Sequence, residues 1–324
     1  MVYDDSLVQD TLSGLAATYD GEALDVALAD FGFAELIQES AQLGVTSVFE
    51  AVGRTGASCG ALNHVLTAAV SSATDIDVSG DTVLLPRPGE EHPATVDRGT
   101  IRLHGLAIAP RPGRALVVAA VGTEGIGWFR VTPSESVPSH KMHGLDPVLG
   151  LVAVEADSVD GEQFLGGLDA ALTWDAAVAA ARRALSAQIA GGVEQMLTLA
   201  TEHAKQRVQF GRPIGSFQAV RHRLAEVSVA LHAARAASEQ GWHSDDEVLG
   251  AMVAKSLAGR AARIAGVHCQ QVLAGIGFTA EHPFHSLLKR TIVLDRLLGS
   301  SVELPTIIGA RLAAAGSVPR LVEL

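Results

Sequence analysis

The order in which hydrophobic patterns follow one another is the feature that most limits the fold of this chain. Within residues 6–73 the apolar residues recur at helical spacing, as at Leu24 and Leu28. Within 75–160 they form short strand-like runs, several of them separated by Gly and Pro clusters. From residue 173 to the end, longer and more regular helical patterns return. The chain therefore reads as helices, then strands, then helices.

This order predicts a mostly α protein with a central β domain. We expect an N-terminal helical domain over 1–74, a small, barrel-like β domain over 75–165 and a C-terminal four-helix bundle over 166–324. Within the bundle, the pattern predicts helices near 173–206, 216–240 and 244–275, with a fourth after Pro283. At this stage an unrelated helical protein with a β insert fits equally well.

Composition excludes several classes of function. The chain has a formal net charge of −12, which argues against binding to a nucleic-acid backbone. Its N-terminus carries acids instead of the basic region of a secretory signal, and no run reaches the roughly 18 apolar residues of a membrane span. The cysteines Cys59 and Cys269 form no CxxC pair and are expected to be free thiols in the cytoplasm.

One segment, residues 202–226, predicts two helices joined at a tight corner. A helix is expected to end near Phe210, with Gly211 providing its C-terminal turn and Pro213 preventing its continuation. Ser216 is expected to cap the next helix. This local chemistry holds Arg207 at the joint, where it either binds a ligand or simply caps a helix.

The same segment resembles the acyl-CoA dehydrogenase signature Arg-x-x-Phe-Gly-x-Pro-Ile-x-x-x-Gln, which starts here at Arg207. A second stretch, residues 269–284, resembles the Gln-x-x-Gly-Gly-x-Gly-x-Thr-x-Glu-x-Pro motif of that family, with Ala274 in place of its first glycine. The predicted helix–strand–helix order also agrees with the fold of that family. The resemblance therefore covers the whole chain, although its motifs lie in the last domain.

The resemblance implies that the chain contributes to an FAD site shared across a subunit interface. Arg207 would contact the pyrophosphate of a neighbour's FAD, since a guanidinium fork suits that anionic group. Other residues at matching positions would line the same cofactor: Gln209, Phe210, Phe217, Gln218, Gln271 and Gly275. The acyl-CoA substrate and an electron-transfer flavoprotein or similar electron acceptor are further partners that the resemblance implies.

The chain departs from the family at the catalytic base. Dehydrogenation needs a carboxylate that removes the α proton while the flavin takes a hydride from the β carbon. The family places this glutamate either on the opening helix of the last domain or just before a glycine downstream of the Glu-x-Pro motif. The first position holds Ala181 and the second holds Leu298, before Gly299. Neither side chain can accept a proton.

The β domain also departs from the family. Nothing within 75–160 matches the Thr-Glu-Pro-x-x-Gly-Ser-Asp-like loop that contacts the flavin ring in members that hold their own cofactor. Where those members have a Trp-Ile-Thr-like strand, this chain reads Leu-Ala-Ile-Ala-Pro over 106–110. The chain therefore resembles the shortened, degenerate subunit of the actinobacterial α2β2 acyl-CoA dehydrogenases, some of which act on CoA thioesters of steroid side chains.

This resemblance predicts a non-catalytic subunit that completes the FAD site of a catalytic partner. Two alternatives stay open on the sequence alone. One is a self-sufficient dehydrogenase whose base has moved, for example to Glu194 or Glu202. The other is a scaffold or regulatory relative that binds no flavin.

Several other residues carry weaker predictions. Arg182 and Arg183 lie near the substrate position of the family and could be surface charges or ion-pair partners, with Arg182 the weak candidate for a substrate contact. Glu281 is expected to order the start of a helix. The histidines of the last domain lack a consistent ligand spacing, so no metal site is expected at His268, His282 or His285.

Overall fold

A computed structural model describes residues 4–110, 113–132 and 137–317 of the chain. The predicted order of helices, strands and helices is confirmed. The ends of the first and last predicted domains, residues 1–3 and 318–324, lie outside the described residues.

The N-terminal domain consists of five helices. They are α1 Asp5–Thr18, α2 Glu22–Phe31, α3 Phe33–Glu39, α4 Ala41–Thr55 and α5 Ala61–Thr74. The side chain of Asp4 caps α1 by accepting hydrogen bonds from the amides of Ser6 and Leu7. Gly32, with a φ of 85°, lets α2 and α3 follow each other directly.

The β domain contains a mixed sheet in the order β6-β7-β3-β2-β4-β5-β8, and β1 pairs with β4. The strands are β1 Thr82–Val83, β2 Ala94–Asp97, β3 Thr100–Ile108, β4 Leu116–Gly122, β5 Gly125–Val131, β6 Ser139–Lys141, β7 Leu151–Val159 and β8 Glu162–Gly166. The sequence patterns missed β2, β6 and β8, because these short strands carry several polar residues and lack an apolar run.

Alternate side chains of the sheet serve two different cores. Val117 and Ala119 on β4 join the core shared with the helices, whereas Val118 and Ala120 belong to a second core within the β domain. This period of two is the normal consequence of the pleat. The helical domains therefore pack against one face of the sheet only.

The C-terminal domain is built on one long helix. Its elements are α6 Gly167–Gln206, β9 Val208–Gln209, β10 Arg212–Pro213, α7 Gln218–Trp242, α8 Glu247–Leu273, α9 Phe284–Arg296 and α10 Leu304–Ala315. The four predicted helices are confirmed as α6 to α9, and α10 is an additional one. Glycines let α4 and α6 cross closely, since a Cβ on Gly191 would lie 2.1 Å from the Glu50 carbonyl oxygen.

Two local predictions at the corner after α6 are wrong. The helix ends at Gln206 instead of near Phe210, because Val208 and Gln209 pair with Pro213 and Arg212 as a small antiparallel hairpin. Ser216 does not cap α7, since its hydroxyl donates to the carbonyl of Pro213 and the N-cap position belongs to Phe217. Phe210 and Gly211 form the turn of the hairpin with φ values of 53° and 79°.

A buried arginine joins all three domains. Arg290 on α9 forms an ion pair with Asp146 of the β domain. It also donates to the carbonyl of Ala57, at 2.7 Å, and to the hydroxyl of Ser58, at 3.0 Å, in the N-terminal domain. Because the two charges are paired and hydrogen-bonded out of water, they fix the relative positions of the domains.

Two further predictions concern the environment of the chain. Cys59 and Cys269 are both free thiols, as expected. No helix in the part of the chain that the structure describes combines the length and apolarity that a membrane crossing needs.

Candidate functional site

The two positions at which the family resemblance places the catalytic glutamate are linked inside the C-terminal domain. Ala181 on α6 is fully buried and Leu298, after α9, is 7% exposed. Arg182 connects them, because its Nε donates to the carbonyl oxygen of Leu298 at 2.9 Å. The structure therefore brings together two positions that are distant in the chain, and both hold side chains without an acidic or basic group.

The groups around these positions are cations bonded to backbone carbonyls. Lys255 on α8 is fully buried, and its Nζ donates to the carbonyls of Asp295 at 3.0 Å and Gly299 at 3.2 Å. Burial lowers the pKa of Lys255 to about 8 and that of Arg182 to about 10. The described hydrogen-bond acceptors of the Lys255 amine and of the Arg182 guanidinium group are main-chain carbonyl oxygens.

The two nearby carboxylates are engaged in holding the turn that follows α9. Asp295 accepts from the amide and hydroxyl of Ser301, at 3.0 and 3.2 Å. Glu303 accepts from the amide and hydroxyl of Ser300, at 3.0 and 2.8 Å. These hydrogen bonds, first from the Ser300 backbone, keep the pKa of Glu303 below its ordinary value. Both carboxylates act as structural acceptors here.

The structure separates the two neighbouring arginines of α6. Arg182 is neither a surface charge nor half of an ion pair, since its described bond is to a backbone carbonyl. Arg183 is the ion-pair partner: it is buried, lies 3.3 Å from Glu247 and donates to the carbonyl of Gly241. Its guanidinium carbon also sits 4.7 Å from the centre of the Trp242 ring.

A relocated base at Glu194 or Glu202 does not agree with the structure. Glu194 lies 3.1 Å from Arg54 and 2.9 Å from Arg235. Burial alone would raise its pKa, but hydrogen bonds and charge from Arg235, followed by those from Arg54, outweigh burial and hold the pKa below the ordinary value. Glu202 is exposed and pairs with Lys205 at 2.7 Å.

The residues predicted to bind the cofactor lie at the far end of α6, at the surface. Phe217 is half-buried. The others are exposed: Arg207, Gln209, Phe210, Gln218, Gln271 and Gly275. Phe210 is 92% exposed, which is unusual for a large apolar side chain and typical of a surface that meets another molecule.

The two family motifs come together at this end of the bundle. His203, in the last turn of α6, has a pKa lowered by burial and by the nearby charges of Arg207 and His282. His282 lies just before α9 and accepts a hydrogen bond from the amide of Phe284. His203 therefore lies within electrostatic range of both Arg207 of the first motif and His282 of the second.

The cationic hairpin, residues 207–214, is held in a defined shape. The rings of Phe210 and Phe217 meet edge to face with their centres 6.1 Å apart, and the guanidinium carbon of Arg212 lies 4.3 Å from the centre of the Phe217 ring. Arg221 donates to the carbonyl of Gly215 at 2.9 Å. These contacts order the hairpin before any partner arrives.

The glycine-rich turn after α8 retains a glycine-like backbone. Ala274, at the family's first glycine, has φ 51° and ψ −132°, a conformation that alanine rarely adopts. A Cβ on Gly277 would lie 2.6 Å from the side-chain nitrogen of Gln270, so a larger residue here would displace that side chain. A Cβ on Gly275 would have no neighbouring atom within 4 Å, so the backbone of this glycine is open to a ligand.

The chain's own strand does not fit a flavin ring. Leu106 pairs with Ala153 of β7 on one side and exchanges two backbone hydrogen bonds of 2.8 Å with Leu85 on the other. The side chains of Leu106, Ala107 and Ile108 are all buried. The main-chain groups at the position of the family's ring-binding strand are therefore already used within the chain.

The remaining candidates have structural explanations. His268 lies 2.8 Å from Glu226 and 3.0 Å from Arg223, and the described residues contain no cluster suited to a metal ion. Glu281 is exposed and does not order the start of α9. The amide of Phe284 is bonded instead by His282.

Sequence reasoning missed two residues of these sites. Lys255 had a usable signal, since it is a lone cation among small residues in the run Ala-Met-Val-Ala-Lys-Ser-Leu-Ala-Gly. Arg212 lies at a position where the quoted motif allows any residue. Its neighbours Gln209 and Phe217 become apparent only in the folded hairpin.

The fold and the paired motifs define the class of protein. A family model described as "Acyl-CoA dehydrogenase, C-terminal domain" matches residues 171–313, and solved acyl-CoA dehydrogenases share the fold of the whole chain. The C-terminal part of the chain is therefore similar to the acyl-CoA dehydrogenase family, and the chain as a whole has the fold of these enzymes.

Particular relatives refine this similarity. The chain is 41% identical to the acyl-CoA dehydrogenase IpdE2 of Mycobacterium tuberculosis over a segment covering 37% of each chain. It is 30% identical to the short-chain-specific acyl-CoA dehydrogenase of Megasphaera elsdenii over 58% of this chain and 54% of the relative. The matches thus span little more than half of these relatives at most.

Two solved structures share the fold along nearly the whole chain. The Tcur3481–Tcur3483 steroid ACAD superposes with a TM-score of 0.80 at 22% identity, covering 97% of this chain and 99% of the other. The ChsE4–ChsE5 complex of Mycobacterium tuberculosis gives a TM-score of 0.77 at 22% identity and 99% coverage of both chains.

Proposed function

We propose that this chain is the non-catalytic subunit of a heteromeric, FAD-dependent acyl-CoA dehydrogenase. It works in the cytoplasm beside a catalytic subunit that holds the base and most of the flavin site. The reaction of the complex is the α,β-dehydrogenation of an acyl-CoA thioester, in which the flavin accepts the hydride. The chain's own contribution is to bind and orient the cofactor of its partner.

The observation that carries this proposal is the state of the two glutamate positions. Ala181 precedes Arg182, which bonds to the carbonyl of Leu298, and the nearby carboxylates Asp295 and Glu303 are bonded to serines. General-base catalysis needs a free carboxylate within hydrogen-bond reach of the substrate proton. This chain offers none at the place where the family keeps it.

A second support is the positive charge around the C-terminal end of α6. Residues 203–223 carry the cations Lys205, Arg207, Arg212, Arg221 and Arg223 and no acid, in a chain whose net charge is −12. Local positive charge on an acidic protein favours an anionic partner. Arg207 would contact the pyrophosphate of a partner's FAD. The same cofactor would be lined by Gln209, Phe210, Phe217 and Gln218, with Gln271 and Gly275 by its adenosine end.

The similarity to the Tcur3481–Tcur3483 steroid ACAD and to the ChsE4–ChsE5 complex favours a heteromer with a steroid side-chain thioester as substrate. Under this proposal the assembly is α2β2, and reduced flavin passes its electrons to an electron-transfer flavoprotein or a similar acceptor.

The test is co-expression with a longer relative that retains the glutamate and is encoded by a neighbouring reading frame. Arg207→Ala should strip FAD from the purified complex, because it removes a charge-assisted bond to the pyrophosphate. Arg102→Ala, which removes an exposed arginine of the β domain, is the matched control and should leave flavin content unchanged.

Two results contradict the proposal. One is an isolated chain that carries stoichiometric flavin and oxidises an acyl-CoA unaided. The other is an Arg207→Ala complex with its full complement of FAD, which is the result that a flavin-free scaffold predicts.

A further inference from the structure

Arg212 is a cation of the hairpin to which the family motif assigns no role. In the hairpin register Arg212 lies directly opposite Gln209. The amide of Ile214 donates to the carbonyl of Arg207 at 2.8 Å, which extends the pairing by one step. Directly opposed residues and residues two apart share one face of a β-ribbon. Arg207, Gln209 and Arg212 therefore lie on the same face.

Both arginines on this face are available to a ligand. Arg207 and Arg212 are exposed, and neither pairs with a carboxylate anywhere in the described ranges of the chain. The ring of Phe217 supports the guanidinium of Arg212 from one side. Stacking of this kind reduces the side-chain entropy that a bound ligand would otherwise cost, and it leaves the N–H donors at the edge of the plane free.

We propose that Arg212 is a second anion-binding arginine which, together with Arg207, makes the hairpin specific for a diphosphate ester over a monophosphate. This inference rests on the proposed function, because it concerns the same surface. Each guanidinium fork matches two oxygens of one phosphate group, so two forks on one face match two linked phosphates. Gln209 between them contributes neutral hydrogen-bonding groups.

Two sources could supply a diphosphate in an acyl-CoA dehydrogenase, namely the flavin dinucleotide and coenzyme A. Both contain an adenosine diphosphate ester, and FMN has only a single phosphate. Comparison of FAD, CoA and FMN as ligands therefore separates the two sources from each other and from simple attraction to negative charge.

The experiment uses the full chain at low ionic strength, where phosphate contacts are strongest. Binding of inorganic pyrophosphate, inorganic phosphate, FAD, CoA and FMN is measured by calorimetry for the wild type, Arg207→Ala, Arg212→Ala and Arg212→Lys. Arg102→Ala is the control for loss of one positive charge elsewhere. All substituted side chains are exposed, and circular dichroism checks that each variant is folded.

We expect the wild type to bind pyrophosphate about tenfold more tightly than phosphate, and FAD about tenfold more tightly than FMN. This is the difference in affinity that one additional charge-assisted hydrogen bond typically gives. Arg212→Ala should abolish that preference, Arg212→Lys should restore part of it, and Arg102→Ala should match the wild type. Preference for CoA over FAD would assign the diphosphate to the substrate instead of the cofactor and overturn the link to FAD.

Other outcomes separate this inference from the proposed function. Arg212→Ala with unchanged preference, while Arg207→Ala loses it, overturns the role of Arg212 and leaves the proposed function standing. No pyrophosphate binding by the wild type below about 10 mM, which corresponds to less than 3 kcal/mol, overturns this inference, whereas the proposed function is decided by the flavin content of the co-expressed complex.

Discussion

The middle of α6 and the hairpin that follows it carry cations in opposite circumstances. Near the middle, Arg182 is half-buried and Lys255 on α8 is fully buried, and both are bonded to main-chain carbonyls. Past the end of α6, about 40 Å away for a helix of this length, Arg207 and Arg212 are exposed without a carboxylate partner among the described residues. The positions that the family resemblance assigns to the catalytic glutamate are thus closed within the chain, whereas the arginines of the hairpin are exposed.

The difference follows from the cost of burying charge. A buried charge is costly unless it is hydrogen-bonded, so main-chain carbonyl oxygens accept hydrogen bonds from the Lys255 amine. Exposed charges carry little folding energy, so the hairpin can be reserved for a partner. Substitutions in the two regions test this difference, and the largest effect is expected at the buried amine.

Removal of the buried amine should be far more damaging than removal of an exposed arginine. Lys255→Ala leaves a cavity and two carbonyls without their donor, so we expect a loss of about 3 kcal/mol in the free energy of unfolding. Arg207→Ala should change it by no more than about 0.5 kcal/mol. Urea unfolding followed by circular dichroism measures both, and equal effects would contradict the comparison.

The pH dependence of stability should reveal the same amine. The pKa of Lys255 is about 8 in the folded chain, down from 10.5. Between these values the unfolded chain binds more protons than the folded one, so the free energy of unfolding rises with pH across that window, by up to roughly 3 kcal/mol. Below pH 8 the cost of burying the charge is fully present.

Lys255→Met is the control for this pH effect, because it keeps the length of the side chain and cannot titrate. Urea midpoints measured from pH 7 to pH 10.5 should rise in the wild type relative to this variant. Parallel curves would show that Lys255 keeps an ordinary pKa in the folded chain.

A smaller effect is expected where charges are only half-buried. Glu194 bridges Arg54 and Arg235, and its side chain is 33% exposed. Glu194→Gln should therefore cost only about 1 kcal/mol of stability after allowance for solvent screening. Turnover of the reconstituted complex should stay at the wild-type level. A loss of activity of a hundredfold or more would return Glu194 to consideration as the base.

The smallest effect on stability is expected at Ala274, the residue that follows α8. Ala274→Gly should stabilise the chain by about 0.5–1 kcal/mol, because glycine adopts its positive φ without strain. Ala313→Gly, at an exposed site inside α10, should destabilise it by about the same amount. Thermal melts of the two variants should therefore shift in opposite directions.

Much of the fold could be predicted because it depends on local patterns. The long helices α6 to α8 are recognisable by a helical period over many residues, and errors at their ends are small. The corner at 206–216 was predicted wrongly in detail, since a two-residue hairpin and a helix end use the same Phe-Gly dipeptide. The strand pairing of Val208 with Pro213 decided between them.

The sequence by itself determined the resemblance to the acyl-CoA dehydrogenases, through two spaced motifs, and the presence of Ala181 and Leu298 where that resemblance places the glutamates. Both can be read from the order of the residues alone. Only the tertiary structure decided that Arg182 reaches the carbonyl of a residue 116 positions away, that Glu194 is held by two arginines and that Arg212 shares a face with Arg207. Whether a charged group is bonded within the chain or left for a ligand depends on which distant residues packing places beside it, and residue type alone does not specify this.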